Sequence, residues 1–118
     1  MTREAALVTS WSQPARGREG KALEAFTDYL TFWAKQATEG KVSEVEPYFT
    51  LDGRSGMGIV KGPSDALQEV LESEEFEKLI TKAQLTVDDL RVEMYVTGDE
   101  IQRAIRIYGE AAGELGYL

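Results

Sequence analysis
Glu46, Arg91 and Tyr95 are the side chains whose type and spacing fit acid–base and oxyanion chemistry. Glu46 lies in an alternating stretch, residues 43–51, where Val45, Pro47, Phe49 and Leu51 share one face and Glu44, Glu46, Tyr48 and Thr50 the other. Residues 90–97 repeat the pattern, with Leu90, Val92, Met94 and Val96 opposing Arg91, Glu93, Tyr95 and Thr97. If the apolar faces pack under helices, Glu44, Glu46, Tyr48, Arg91, Glu93 and Tyr95 project from the opposite face. A desolvated Glu46 is then a general base, and Arg91 or Tyr95 a donor to a developing oxyanion. The competing reading is structural: buried carboxylates are costly alone, and Glu46, Arg91 and Glu93 can instead form cross-strand or cross-dimer ion pairs. The ligand-binding candidates are Glu46, Tyr48, Arg91 and Tyr95, with Trp11, which ends the first strand where it can line a pocket mouth or a dimer seam.

A second set of charges lies in the loop 14–22. Its pattern nearly matches GxxxxGK[ST], but Ala15 replaces the first glycine and Ala22 the hydroxyl residue that would hold magnesium, so a nucleotide hydrolase is excluded. What survives is an anion-binding reading: Arg16, Arg18 and Lys21 sit near a helix N-terminus, whose N–H groups attract carboxylate or phosphate. A solvated basic loop facing an acidic neighbour explains the same residues. Phe26, Trp33 and Phe76 fall at core-like helical spacings and are read as packing.

Composition narrows the chemistry further. The 118 residues contain neither histidine nor cysteine, which removes Ser-His-Asp and Cys-His nucleophile systems, thiolate chemistry, disulfides and zinc knuckles. No EF-hand pattern occurs, and the expectation is a protein without metal or cofactor. Acidic residues outnumber basic ones 21 to 13, for a net charge of -8. Residues 64–100 hold 11 acidic and 3 basic side chains, so they carry the whole excess, while the remainder is balanced at 10 against 10. Such a balance disfavours nucleic acid. No basic leader precedes an apolar run, and no segment approaches the roughly 18 apolar residues of a membrane span. The expectation is a cytoplasmic protein, without nucleic-acid or membrane partners.

The elements that must position these residues follow from periodicity. Residues 5–12 read as a strand. Leu23, Phe26, Leu30, Trp33 and Ala37 form one helical stripe that Gly40 ends. The stretch 43–51 is an edge or bulged strand, because Pro47 cannot donate to a ladder. Asp52-Gly53 turns the chain into a strand at Met57–Lys61. Ser64 is an expected N-cap for a helix carrying Ala66, Leu67, Val70 and Leu71. Ser73 restarts that helix, with Phe76, Leu79, Ile80 and Ala83 inward and a solvated acidic side from Glu69 to Glu77. Residues 98–116 fit a C-terminal helix through Ile101, Ala104, Ile105, Tyr108, Ala112 and Leu115, and fit a strand through Ile101, Arg103, Ile105 and Ile107.

The order βαββαβ plus a terminal helix suits a single α+β domain, residues 1–118, with a four-stranded antiparallel sheet and both main helices on one face, the ferredoxin-like arrangement. With the Trp11-ended first strand, the Asp52-Gly53 hairpin and the segment Ser73-Glu74-Glu75-Phe76, the chain resembles small proteins of the dimeric α+β barrel superfamily, which includes cofactor-free monooxygenases and muconolactone isomerase-like proteins. The resemblance implies a homodimer with sheets face to face and a ligand cavity between sheet and helices or within the barrel. Relatives that rely on histidine cannot lend their catalytic roles to a chain without one. Two functions remain open. One is a homodimer binding a small, partly apolar organic molecule; if an enzyme, it works cofactor-free through Glu, Arg and Tyr. The other is a non-catalytic interaction protein whose acidic second helix docks on a basic partner.

Overall fold
The computed structural model describes residues 3–117. Its main sheet contains β1 (Glu4–Trp11), β3 (Glu46–Phe49), β4 (Gly56–Pro63) and β6 (Arg91–Val96), in the spatial order β3-β4-β1-β6. All neighbouring pairs are antiparallel, with Leu7 opposite Val60 on one side and Met94 on the other. β1 and β4 are the inner strands. Pro47 lies in β3, an edge strand, where its missing N–H leaves no buried ladder position open. This is the ferredoxin-like α+β sheet.

Three helices connect the strands: α1 (Glu19–Thr38), α2 (Ser64–Leu71) and α3 (Glu74–Gln84). Gly40, at φ +76°, ends α1; its N–H donates to the Ala37 carbonyl at 2.9 Å and the Lys41 N–H to the Gln36 carbonyl at 3.3 Å. The buried stripe of α1 is rotated from the expected one. Phe26, Leu30 and Trp33 do pack inward, but the buried residues are Ala22, Tyr29, Phe32, Trp33 and Gln36, while Leu23 is 67% exposed. The expected break falls between α2 and α3, where the Ser73 hydroxyl accepts from the Phe76 N–H at 3.2 Å. Ser64 is not the cap of α2: it is the first helical residue, after Pro63, and its hydroxyl accepts from the Arg3 N–H at 2.9 Å.

The core lies between the sheet's inner face and these helices. Trp33, Leu7, Leu67 and Val60 are fully enclosed. Phe32 and Phe76 meet the Trp33 ring edge-on at 5.3 and 5.7 Å between ring centres, within the range where aromatic pairs add to area burial. Leu51, expected beside Phe49 on the buried face, is fully exposed in the turn after β3, because the strand already ends at Phe49.

Two elements go beyond the expected order. A short ribbon pairs β2 (Gln13–Pro14) with β5 (Val87–Asp88); two residues per strand are too few to leave a periodic signal. Of the two readings for residues 98–116 the helix is realised, as α4 (Glu100–Glu114). It leaves Ile101, Ile105, Tyr108 and Leu115 exposed, and the described residues span 52 × 33 × 26 Å.

Candidate functional site: an apolar cavity under the sheet
β4 offers the helices an unusual surface. Its inward positions are Gly56, Gly58, Val60 and Gly62, which pair with the inward Trp11, Thr9, Leu7 and Ala5 of β1. At Gly56 and Gly58 aromatic rings from elsewhere lie directly on the backbone. A Cβ at Gly56 would stand 2.5 Å from the Trp11 ring, and one at Gly58 would collide with the Tyr29 hydroxyl. Trp11, Phe26 and Phe49 consequently form a cluster, with ring centres 4.9 to 6.0 Å apart.

Beside this cluster is a cavity of about 240 Å³. Ala22, Ala25, Phe26 and Tyr29 of α1, Leu79, Ile80 and Ala83 of α3, Thr9 and Trp11 of β1, and Phe49 line it, with Pro14 and Val87 from the β2–β5 ribbon. Small side chains on both helices leave the space, and aromatic rings define its walls. Exposed Glu19, Leu23, Phe49 and Gly53 mark its mouth. The Glu19 carboxylate there accepts from the Gly17 N–H at 2.8 and 3.0 Å.

Three hydroxyl residues line the cavity: the Thr86 hydroxyl donates to the Ala83 carbonyl at 3.0 Å, and the Thr9 and Tyr29 hydroxyl oxygens are shielded from the open space. Thr9 is 3% exposed and Tyr29 6%. The two hydroxyls lie near each other, and neither bonds to any other group. Burial pushes the Tyr29 phenol up to about 12, with the Thr9 hydroxyl pulling weakly the other way. Tyr29 is therefore a neutral donor throughout the physiological range.

The residues singled out by alternation lie elsewhere. Glu46, Tyr48, Arg91, Glu93 and Tyr95 occupy the outer face of the sheet, as the pattern predicts. They form two clusters rather than one. On β3 the Tyr48 hydroxyl donates to Glu46 at 2.9 Å. On β6 Arg91 pairs with Glu93 at 3.0 Å and the Tyr95 hydroxyl donates to Glu93 at 3.1 Å. Because β3 and β6 are opposite edges, three inter-strand spacings, roughly 14 Å, separate the clusters within one protomer. The hydrogen bonds to Glu46 and Glu93 hold the Tyr48 and Tyr95 phenols above their ordinary pKa. Trp11 alone of the five ligand-binding candidates faces the cavity.

In the loop 14–22, the Arg18 guanidinium donates to the Leu85 carbonyl at 2.6 Å, tying the start of α1 to the end of α3. Lys21 pairs with Glu24 at 3.2 Å. These contacts turn two of the three basic side chains toward their own chain. Among the described residues no group of three Asp or Glu side chains is gathered to hold a metal ion, and no helix is long and apolar enough to cross a membrane. Sequence reasoning missed Thr9 and Tyr29, although Gly56, Gly58 and Gly62 alternating along β4 are a readable sign of an open inward face.

No protein-family model matches the sequence, and no curated protein matches it. Solved structures do share its architecture. The cofactor-independent oxygenase SnoaB from Streptomyces nogalater superposes with a TM-score of 0.65 at 15% identity, over 82% of this chain and 95% of that one. Rv0793 from Mycobacterium tuberculosis gives 0.64 at 17% identity, over 81% and 96%. The fold they share with this chain is the ferredoxin-like α+β fold. A hydroxynitrile lyase from Passiflora edulis shares it too, with a TM-score of 0.62 at 8% identity over 82% of this chain and 95% of that one. One α+β barrel scaffold thus carries unlike chemistries, so function has to be argued from the cavity of this chain.

Within this barrel fold, the buried phenol makes stability depend on alkaline pH. The folded pKa of Tyr29, about 12, exceeds the unfolded value near 10. Folding thus favours the protonated form, and the stability it contributes is intact below pH 10 and lost between pH 10 and 12. The full loss is about 3 kcal/mol, as an order of magnitude. Urea unfolding should show the wild type weakening more steeply across that window than Tyr29→Phe, and parallel curves would contradict the burial of the phenol.

Proposed function
We propose that the protein is a homodimer that binds a small, largely apolar organic molecule in the cavity between sheet and helices and transforms it without a resident cofactor. The observation that carries this reading is the cavity itself, with aromatic and aliphatic walls and a mouth to solvent. Concave, mostly apolar pockets are the usual form of small-molecule sites. The same fold in a cofactor-independent oxygenase supports the cofactor-free part.

The direct test of binding uses N-phenyl-1-naphthylamine, a neutral dye whose fluorescence rises in apolar surroundings. Titration should give a saturable signal with one site per chain, and a wild-type protein that leaves the dye dark would refute the reading. For turnover, oxygen uptake with 1,4-dihydroxynaphthalene in the presence of a chelator tests chemistry without a metal. Uptake above the protein-free rate supports an enzyme, whereas dye binding with no uptake restricts that substrate class.

Two apolar surfaces support the dimer. The outer face of the sheet carries Val8, Met57 and Ile59 between the two polar clusters, and α4 exposes Ile101, Ile105, Tyr108 and Leu115. An isolated helix of this length is marginal in water, so a partner that covers it stabilises it. We assign both surfaces to contact between two copies, with Glu46, Tyr48, Arg91 and Tyr95 framing the contact. Met57→Glu places a charge where the two sheets would meet, at a side chain already partly exposed in the protomer. Light scattering should show the dimer constant weakened more than tenfold while dye binding persists. A variant as dimeric as the wild type would move the interface elsewhere.

A further inference from the structure
The contrast between the cavity's interior and its mouth sets what kind of molecule fits it. Trp11, Phe26 and Phe49 supply rings to the walls, and Leu79 and Ile80 of α3 supply aliphatic chains. Among the described residues no charged side chain lines the interior. Its hydroxyls offer no free donor, since those of Thr9 and Tyr29 are shielded and that of Thr86 donates to the Ala83 carbonyl. A charged end carried inward would lose its hydration with nothing to offset the loss. The apolar part of a ligand therefore enters first, and a charged end stays at the mouth.

The mouth has one sign of charge. Glu19, the first residue of α1, is exposed there and is the only charged residue among those lining the cavity. Both of its carboxylate oxygens accept from the Gly17 N–H, at 2.8 and 3.0 Å, which holds the group in place. The basic side chains of the preceding loop do not join it in the lining: Arg18 donates to the Leu85 carbonyl at 2.6 Å, Lys21 pairs with Glu24 at 3.2 Å, and neither they nor Arg16 line the cavity. An ammonium at the mouth thus gains a carboxylate partner, a hydroxyl gains an acceptor, and a carboxylate meets a like charge. Exposure to water and the positive end of the α1 dipole both weaken the field of Glu19, so the selectivity should be severalfold rather than absolute.

From these facts we infer that Glu19 is the specificity-determining residue of the cavity mouth, selecting a ring compound with a protonated amine at its outward end over a carboxylate of the same shape. The inference rests on the cavity being the binding site. Size agrees with it: an apolar cavity of ~150 Å³ accepts one benzene ring, and about 240 Å³ accepts a bicyclic one. The anion-binding reading of Arg16, Arg18 and Lys21 predicts the opposite order, because a carboxylate at the mouth would then be drawn to the basic loop.

The experiment measures displacement of N-phenyl-1-naphthylamine near neutral pH by three probes of closely similar shape: 2-naphthylmethylamine, 2-naphthylmethanol and 2-naphthoate. Wild-type protein should bind the amine at least fivefold more tightly than the carboxylate, with the alcohol between them. Glu19→Gln keeps an acceptor for the Gly17 N–H and should cut the amine-to-carboxylate ratio at least threefold. Glu69→Gln removes the same charge from an exposed position on α2 outside the lining, and should leave the ratio unchanged. If both variants lower the ratio equally, the preference belongs to the net charge of the protein and the inference is overturned. Equal wild-type binding of amine and carboxylate overturns it too, as does a preference for 2-naphthoate, which would favour the basic loop. A bound dye that none of the probes displaces overturns the inference and leaves the cavity reading standing, whereas a dye that never binds overturns both.

Discussion

Trp33→Ala should remove most of the stability of the domain, with a loss of about 3–5 kcal/mol read from the urea midpoint. Trp33 is fully enclosed, and its ring is in contact with Phe32 of its own helix and Phe76 of α3. Truncation therefore costs the transfer of an indole from water, the two aromatic contacts, and a void that three packed elements cannot close together. A domain of this size commonly has about 5–15 kcal/mol in hand, so the variant should melt well below the wild type. Trp33→Phe, which keeps an aromatic wall against Phe76, should retain part of that loss. A midpoint for Trp33→Ala within 1 kcal/mol of wild type, as a rough threshold, would mean that the core does not centre on this ring.

Ala83→Trp is expected to have the opposite profile, abolishing binding at little cost to folding. Ala83 is on α3, half-buried, and lines the cavity. In a filled core an added indole would cost roughly 1–3 kcal/mol through displaced neighbours. Here the ring has an existing space to enter, so unfolding should change by less than that, while the affinity for N-phenyl-1-naphthylamine falls at least a hundredfold. Were the dye to bind Ala83→Trp as tightly as wild type, the binding site would not be this cavity. Large destabilisation would show instead that the space is smaller than the geometry indicates. Trp33→Ala and Ala83→Trp thus separate two uses of aromatic volume, one holding the helices to the sheet and the other leaving room beside them.

Much of the fold is legible because its signals are local. Alternation marks 43–51 and 90–97 as strands with a polar face opposite the helices, and Glu46, Tyr48, Arg91 and Tyr95 do share that outer face. Ser73 between two apolar stripes marks the break between α2 and α3. The errors have local causes as well. The stripe of α1 was shifted because Ala22 and Gln36, weakly apolar or polar by type, are buried, while Leu23 stands at the mouth of a cavity. Alternation carried past Phe49 predicts Leu51 inside, but β3 stops at Phe49 and Leu51 is exposed.

The candidate site was less legible. Alternation assigns a residue to a face but not to a neighbour across the sheet, so Glu46 and Arg91 looked convergent although their strands are opposite edges. Conversely, Tyr29 is one residue of an amphipathic helix and Thr9 one residue of a mixed strand. Neither stands out until the sheet order places both at Gly58.

The sequence by itself determined the absences and the elements: no histidine or cysteine chemistry, an acid excess confined to residues 64–100, and a βαββαβ order with a ferredoxin-like sheet. These depend on residue type and on spacing along the chain, which no tertiary contact alters. Tertiary structure alone decided where the cavity lies and what lines it. The space exists because alanines on α1 and α3 and the rings of Trp11, Phe26 and Phe49 meet from positions far apart in the chain, and such a shape is a property of packed surfaces that spacing along one chain does not encode.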